Sequence, residues 1–201
     1  MEKLLTGTDW TAEFRDWLRY GNPAQLRENR EEGALALSYD DGAYFVFVST
    51  LHDGWLTVSE AYQTDPNGVR HELFQARALA DVEKNLAVRH DWAVRRYAGF
   101  TWIPEHADPA PGARLDFRIA SWNPDSKNQR HAFPDRAIED VYVNEVKVAT
   151  FEGIEGAKRS QAAAASWVLA ASLGEIINTY SSADGVPLFP LESSVPQPDT
   201  D

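Results

Sequence analysis

Hydrophobic positions change their period along the chain, and the changes divide it into elements. Over residues 11–20, Phe14, Trp17 and Leu18 recur on one helical face, with Thr11 placed to cap the first turn and Gly21 to end the last. After a charged loop at residues 25–33 the pattern becomes that of strands. Residues 34–39 run into Asp40-Asp41-Gly42, a hairpin turn signal, and residues 43–48 are apolar on both faces, as an inner strand requires. His52-Asp53-Gly54 makes a second turn before a third strand at residues 55–61. A loop at residues 65–68 leads to a short fourth strand at 71–74. These four predict an antiparallel meander.

Leu79, Val82 and Leu86 then predict a second helix over residues 79–89, followed by a connection marked by Pro104, Pro109 and Pro111. Residues 114–120 alternate strictly, as a half-buried strand does. The polar stretch 123–136 is long enough to be a functional loop. Residues 141–143 and 146–151 form a last pair of strands around Asn144-Glu145, and a glycine-bearing loop leads to an Ala-rich helix over 158–171. Ser172 and Glu175 form a capping box for a final helix whose apolar face is Ile176, Ile177 and Tyr180. An Asp184-Gly185 turn and an extended apolar clip, Val186-Pro187-Leu188-Phe189, close the pattern.

A helix, four strands, a helix, three strands and then helices is a segregated order. It predicts an α+β fold: a mostly antiparallel meander sheet of about six to seven strands, packed with an N-terminal helix, a middle helix and C-terminal helices. At 201 residues the chain fits a single domain, expected at 11–191, after an extension at 1–10 and before a disordered acidic, Pro-rich tail at 192–201.

A formal net charge of -12 argues against nucleic acid or an anionic membrane as partner, since both demand basic patches. It suits a basic protein partner, but net charge speaks to solubility before it speaks to partners. With no cysteine, disulfides, thiolate nucleophiles and Cys-built zinc sites are excluded. No apolar run reaches the ~20 residues of a membrane helix, and the N-terminus lacks a signal-peptide core, so a cytoplasmic location is expected.

Chemistry is sparse. His52, His71, His90, His106 and His131 are scattered, without the converging spacing of a metal set. The acids of the Asp-Gly turns are explained by the turns, and there is no Gly-x-Ser-x-Gly elbow. Residues 153–160 superficially suggest a phosphate loop, but Glu152 and Glu155 would repel phosphate. Trp17, Tyr44, Phe45, Phe47 and Trp55 read as core. Trp92, Trp102, Trp122 and Phe133 lie outside clean periodicity, and either close loops onto the core or form an exposed patch.

Four blocks carry a resemblance: the opening helix with Phe14-Arg15-Asp16-Trp17-Leu18-Arg19-Tyr20-Gly21; the third-strand sequence Gly54-Trp55-Leu56-Thr57-Val58-Ser59-Glu60; the strand Glu72-Leu73-Phe74 feeding a helix; and the ending from Ala171 to Phe189. In these the chain resembles an actinobacterial family of immunity proteins that includes the immunity factor for the tuberculosis necrotizing toxin, a secreted NAD glycohydrolase. The resemblance implies a stoichiometric inhibitor without catalytic activity, cofactor or metal. It would bind a cognate toxin one-to-one and block its NAD-binding cleft.

No contact residue is carried over from the family. The insert expected from the residues is Glu152, Gly153, Ile154, Glu155, Gly156 and Lys158, where glycines permit close backbone approach and two carboxylates could meet basic groups. An ordinary strand–helix connector is the competing reading of that segment, and residues 123–136 are the second candidate. Two other functions stay open: a secretion chaperone or adaptor, and a small hydrolase whose Asp and His residues converge only in the fold.

Overall fold

A computed structural model describes residues 10–20, 27–31, 34–39, 44–51, 53–62, 71–104, 106–120, 136–152 and 160–191. The class is α+β, as expected. The strands are β1 (Arg27–Glu31), β2 (Ala34–Tyr39), β3 (Tyr44–Thr50), β4 (Leu56–Tyr62), β5 (His71–Ala76), β6 (Ala113–Ala120), β7 (Arg136–Val143) and β8 (Val146–Glu152). The helices are α1 (Ala12–Arg19), α2 (Leu79–Arg89), α3 (Asp91–Ala98), α4 (Gln161–Ala170) and α5 (Leu173–Ser181).

All eight strands join one sheet in the order β1-β2-β3-β4-β5-β8-β7-β6, with every pairing antiparallel. The count exceeds the expected six to seven because residues 27–31, which read as charged loop, pair with β2 along the edge. The sheet is also two meanders rather than one. After β5 the chain runs through α2 and α3 to the far edge, and β6, β7 and β8 then hairpin back until β8 lies against β5.

One face of the sheet carries the core. Val48 pairs with Val58, Val58 with Phe74, and Phe74 with Phe151, giving an apolar row across four strands; the two Phe rings stack at 5.4 Å. Helices α2 and α4 pack on this face, and α1, α3 and α5 pack around α2. Trp10 and Phe14 seal the α1 end, where the indole of Trp17 donates to Ala87 O at 3.0 Å. The Ala-rich α4 buries small side chains on most of its surface. Its one buried hydroxyl, Ser166 Oγ, accepts from Ala110 N at 2.8 Å and donates to Ala163 O, tying the Pro-rich connection to the helix.

The predicted caps form. Thr11 Oγ1 accepts from Phe14 N, and the Ser172–Glu175 capping box closes in both directions. The clip is held by hydrogen bonds from Phe189 N to Gly185 O and from Leu191 N to Asp184 O. Only Phe189 of its four residues is fully buried, while Val186 faces solvent. Behind it, Arg95 is buried and directs its guanidinium at four carbonyls: Thr101 O (2.7 Å), Ser182 O (2.8 Å), Tyr180 O (3.3 Å) and Ala183 O (3.3 Å). That one side chain locks the end of α5 to the turn after α3.

Candidate partner-binding surface

Backbone register brings the described flanks of the two candidate segments to one end of the sheet. Strand β6 ends at Ala120, whose partner is Arg136 at the start of β7. Two residues into β7, Ile138 pairs with Glu152, the last residue of β8. Next to it, Glu139 accepts a hydrogen bond from Ser160 Oγ, and Ser160 caps α4 by accepting from Ala163 N at 3.2 Å. Ala120, Arg136, Glu152 and Ser160 thus sit together, and they flank residues 121–135 and 153–159. The expected contacts Gly153, Ile154, Glu155, Gly156 and Lys158 lie outside the described residues; Glu152 is described and exposed. Of the second candidate segment only Arg136, in β7, is described.

Beside this end stands a charge cluster that no local sequence signal announced. Asp140 on β7 is only 4% exposed. It accepts from Thr150 Oγ1, Lys147 Nζ and Arg118 Nε, each at 2.8 Å. Burial alone would push its carboxyl up. The hydrogen bonds from Arg118, Lys147 and Thr150 outweigh that cost and hold it below the usual carboxylate range, while Asp140 in turn raises Arg118. Lys147 also lies 5.0 Å from the Trp55 ring centroid, which links β8 to the turn before β4. The cluster ties β6, β7 and β8 to one another.

A cavity of about 340 Å³ opens on the helical side, floored by Phe74 and Phe151 and bordered by Asp91, His106 and the exposed Trp102. His106 is stacked on Trp167 at 4.2 Å. The carboxyls that burial pushes above their ordinary range, Asp81 and Glu83, do not line it. Glu83 instead accepts from Thr11 N at 2.6 Å and joins α1 to α2. Among the described residues no group of three or more His, Asp or Glu is placed to hold a metal ion, and no helix is long and apolar enough to cross a membrane.

Comparison with known proteins identifies the class of molecule. A family model described as Immunity protein 61 matches residues 20–188. No curated protein matches the sequence. Among solved structures, Rv3902c from M. tuberculosis is similar, with a TM-score of 0.66 at 19% sequence identity, over 93% of this chain and 97% of that one. At that identity the likeness bears on the fold.

Proposed function

Because the chain belongs to the immunity protein 61 family, we propose that it is the antitoxin of a secreted bacterial toxin, which it binds one-to-one in the cytoplasm and blocks at the active-site cleft. The family match over residues 20–188 is the observation that carries this reading. The toxin class we propose is an NAD glycohydrolase, from the sequence resemblance. Inhibition of this kind asks for no chemistry from the inhibitor, only a rigid element that fills the cleft.

The surface we assign to that task is the sheet end at Glu152, with Gly153, Ile154, Glu155, Gly156 and Lys158. Strand β8 lies between β5 and β7, so a segment leaving Glu152 starts from a firm base and loses less entropy on binding. A cleft that holds an anionic dinucleotide presents basic groups, which the carboxylates of Glu152 and Glu155 complement. The net charge of -12 would speed the encounter at low salt.

The test is titration of a candidate toxin, an NAD glycohydrolase, following NAD hydrolysis. Activity should fall linearly to zero at one equivalent, and Glu152→Arg should weaken inhibition by roughly tenfold. A stable complex in which the toxin stays fully active would make the chain a secretion chaperone instead. With neither a complex nor protection on co-expression, the antitoxin reading fails.

A further inference from the structure

The two edges of the sheet differ in kind. Strand β1 reads Arg-Glu-Asn-Arg-Glu, charged at four of five positions, a composition that discourages edge-to-edge pairing. Strand β6 reads Ala-Arg-Leu-Asp-Phe-Arg-Ile-Ala over eight residues, without lysine or proline, and its three charged side chains alternate with apolar ones and are of both signs. Arg114, Asp116 and Arg118 face one side of the sheet; Leu115, Phe117 and Ile119 face the other, toward α4. Phe117 is nevertheless 48% exposed and Ile119 57%. Among the described residues no strand pairs with the outer side of β6.

We propose that this edge binds β6 of a second copy of the chain, antiparallel about a twofold axis through Phe117, so that the two sheets become one. The argument is self-complementarity. An axis perpendicular to the sheet keeps each face continuous only if it passes through a residue, and opposite residues then share a face. With the axis at Phe117, the two Phe117 rings meet, Leu115 faces the partner's Ile119, and Asp116, already bridged on one oxygen by Arg114 of its own strand, faces the partner's Arg118. The last two contacts occur twice by symmetry.

Neighbouring registers are worse. An axis at Asp116 sets Asp116 against the partner's Asp116 and, twice by symmetry, Arg114 against the partner's Arg118, three like-charge contacts. An axis at Leu115 keeps only residues 113–117 within the strand, against 114–120 for the axis at Phe117. Arg118 directs Nε and one Nη at Asp140, so its five-donor guanidinium retains N–H groups for a second carboxylate.

Sedimentation of the full chain from about 1 to 300 μM tests this, with circular dichroism to verify folding. The native chain should dimerise. Phe117→Lys and Phe117→Glu each place like charges on the axis, and each should weaken the dimer about a hundredfold while leaving the fold intact, because the ring is half exposed. Mixing the two variants should restore a heterodimer, since Lys then faces Glu at that one position. A native chain that stays monomeric overturns the proposal. So does a dimer that survives Phe117→Lys, or two folded variants that fail to pair when mixed. A monomeric native chain whose toxin binding is lost on Phe117→Lys would assign the edge to the toxin.

Discussion

Acidification should destabilise this fold through one buried histidine. His90 sits between α2 and α3, only 1% exposed, with its ring edge-on to Trp17 at 5.9 Å and Nε2 at 3.2 Å from Tyr20 O. Burial lowers its pKa from 6.5 to about 4, partly opposed by the contact with the Tyr20 carbonyl. The folded pKa is therefore depressed, and on acidification the unfolded chain takes up the proton first. Its contribution is fully present above pH 6.5, falls by ~1.4 kcal/mol per pH unit below that, and is exhausted near pH 4, for a total of about 3 kcal/mol.

Other groups act elsewhere or in the opposite sense. Asp140, held low by its donors, contributes stability that is lost only as pH falls below its ordinary value of 3.8. Asp81 and Glu83 are raised by burial, so their protonation at acid pH relieves a cost and opposes the His90 slope. Between pH 7 and 5 the linkage relation for His90 alone gives about 2 kcal/mol. Urea unfolding followed by tryptophan fluorescence across that window measures it, in the native chain and in His90→Gln. The native chain should lose about that much more than the variant, since Asp81 and Glu83 act equally in both. Parallel pH profiles for the two would refute the assignment to His90.

Two substitutions test the C-terminal closure. Gly185 has φ 73°, and an added Cβ would lie 2.3 Å from the Phe189 carbonyl oxygen; Gly185→Ala should cost about 2–4 kcal/mol in urea unfolding, and a loss under ~1 would mean the turn is not rigid. Arg95→Met removes the guanidinium hydrogen bonds to the carbonyls of Thr101, Tyr180, Ser182 and Ala183, which should cost about 3–5 kcal/mol and open the end of α5 to proteases. Unchanged proteolysis would show that other contacts hold the clip.

Where physical rules act over a few residues, the sequence was legible. Thr11 and Ser172 cap their helices, and Asp53 with Gly54 makes the turn before β4, because each satisfies backbone groups next to it in the chain. The strands with alternating or continuous apolar pattern also stand where expected. Strand β1 escaped because its residues are charged, which suits an edge and contradicts strand propensity. The short helix α3 escaped because His90, Asp91 and Arg95, polar residues that suggest surface, are buried at its start and middle. Arg95 is the sharpest case: three of its carbonyl partners lie 85 to 88 residues away, so nothing beside it signals its role. Of the proposed contact residues only Glu152, at the end of β8, is described. The Asp140 cluster had no signal in the sequence, because it needs the pairing of β6, β7 and β8 to exist.

That pairing is also what separates the two surfaces we assign. A sequential meander would set β6 against β5 and leave β8 on the edge, with Glu152 on the least supported strand. The observed order reverses this: β8 is clamped between β5 and β7, and β6 takes the edge. A loop that must hold its shape inside a cleft gains from a central strand, while a surface that must pair with another strand has to be an edge. Antiparallel pairing through Phe117 would then send the Ala120 ends of two copies in opposite directions. Each copy would keep its Glu152 end clear of the other, and a dimer could hold two toxins without competition between them.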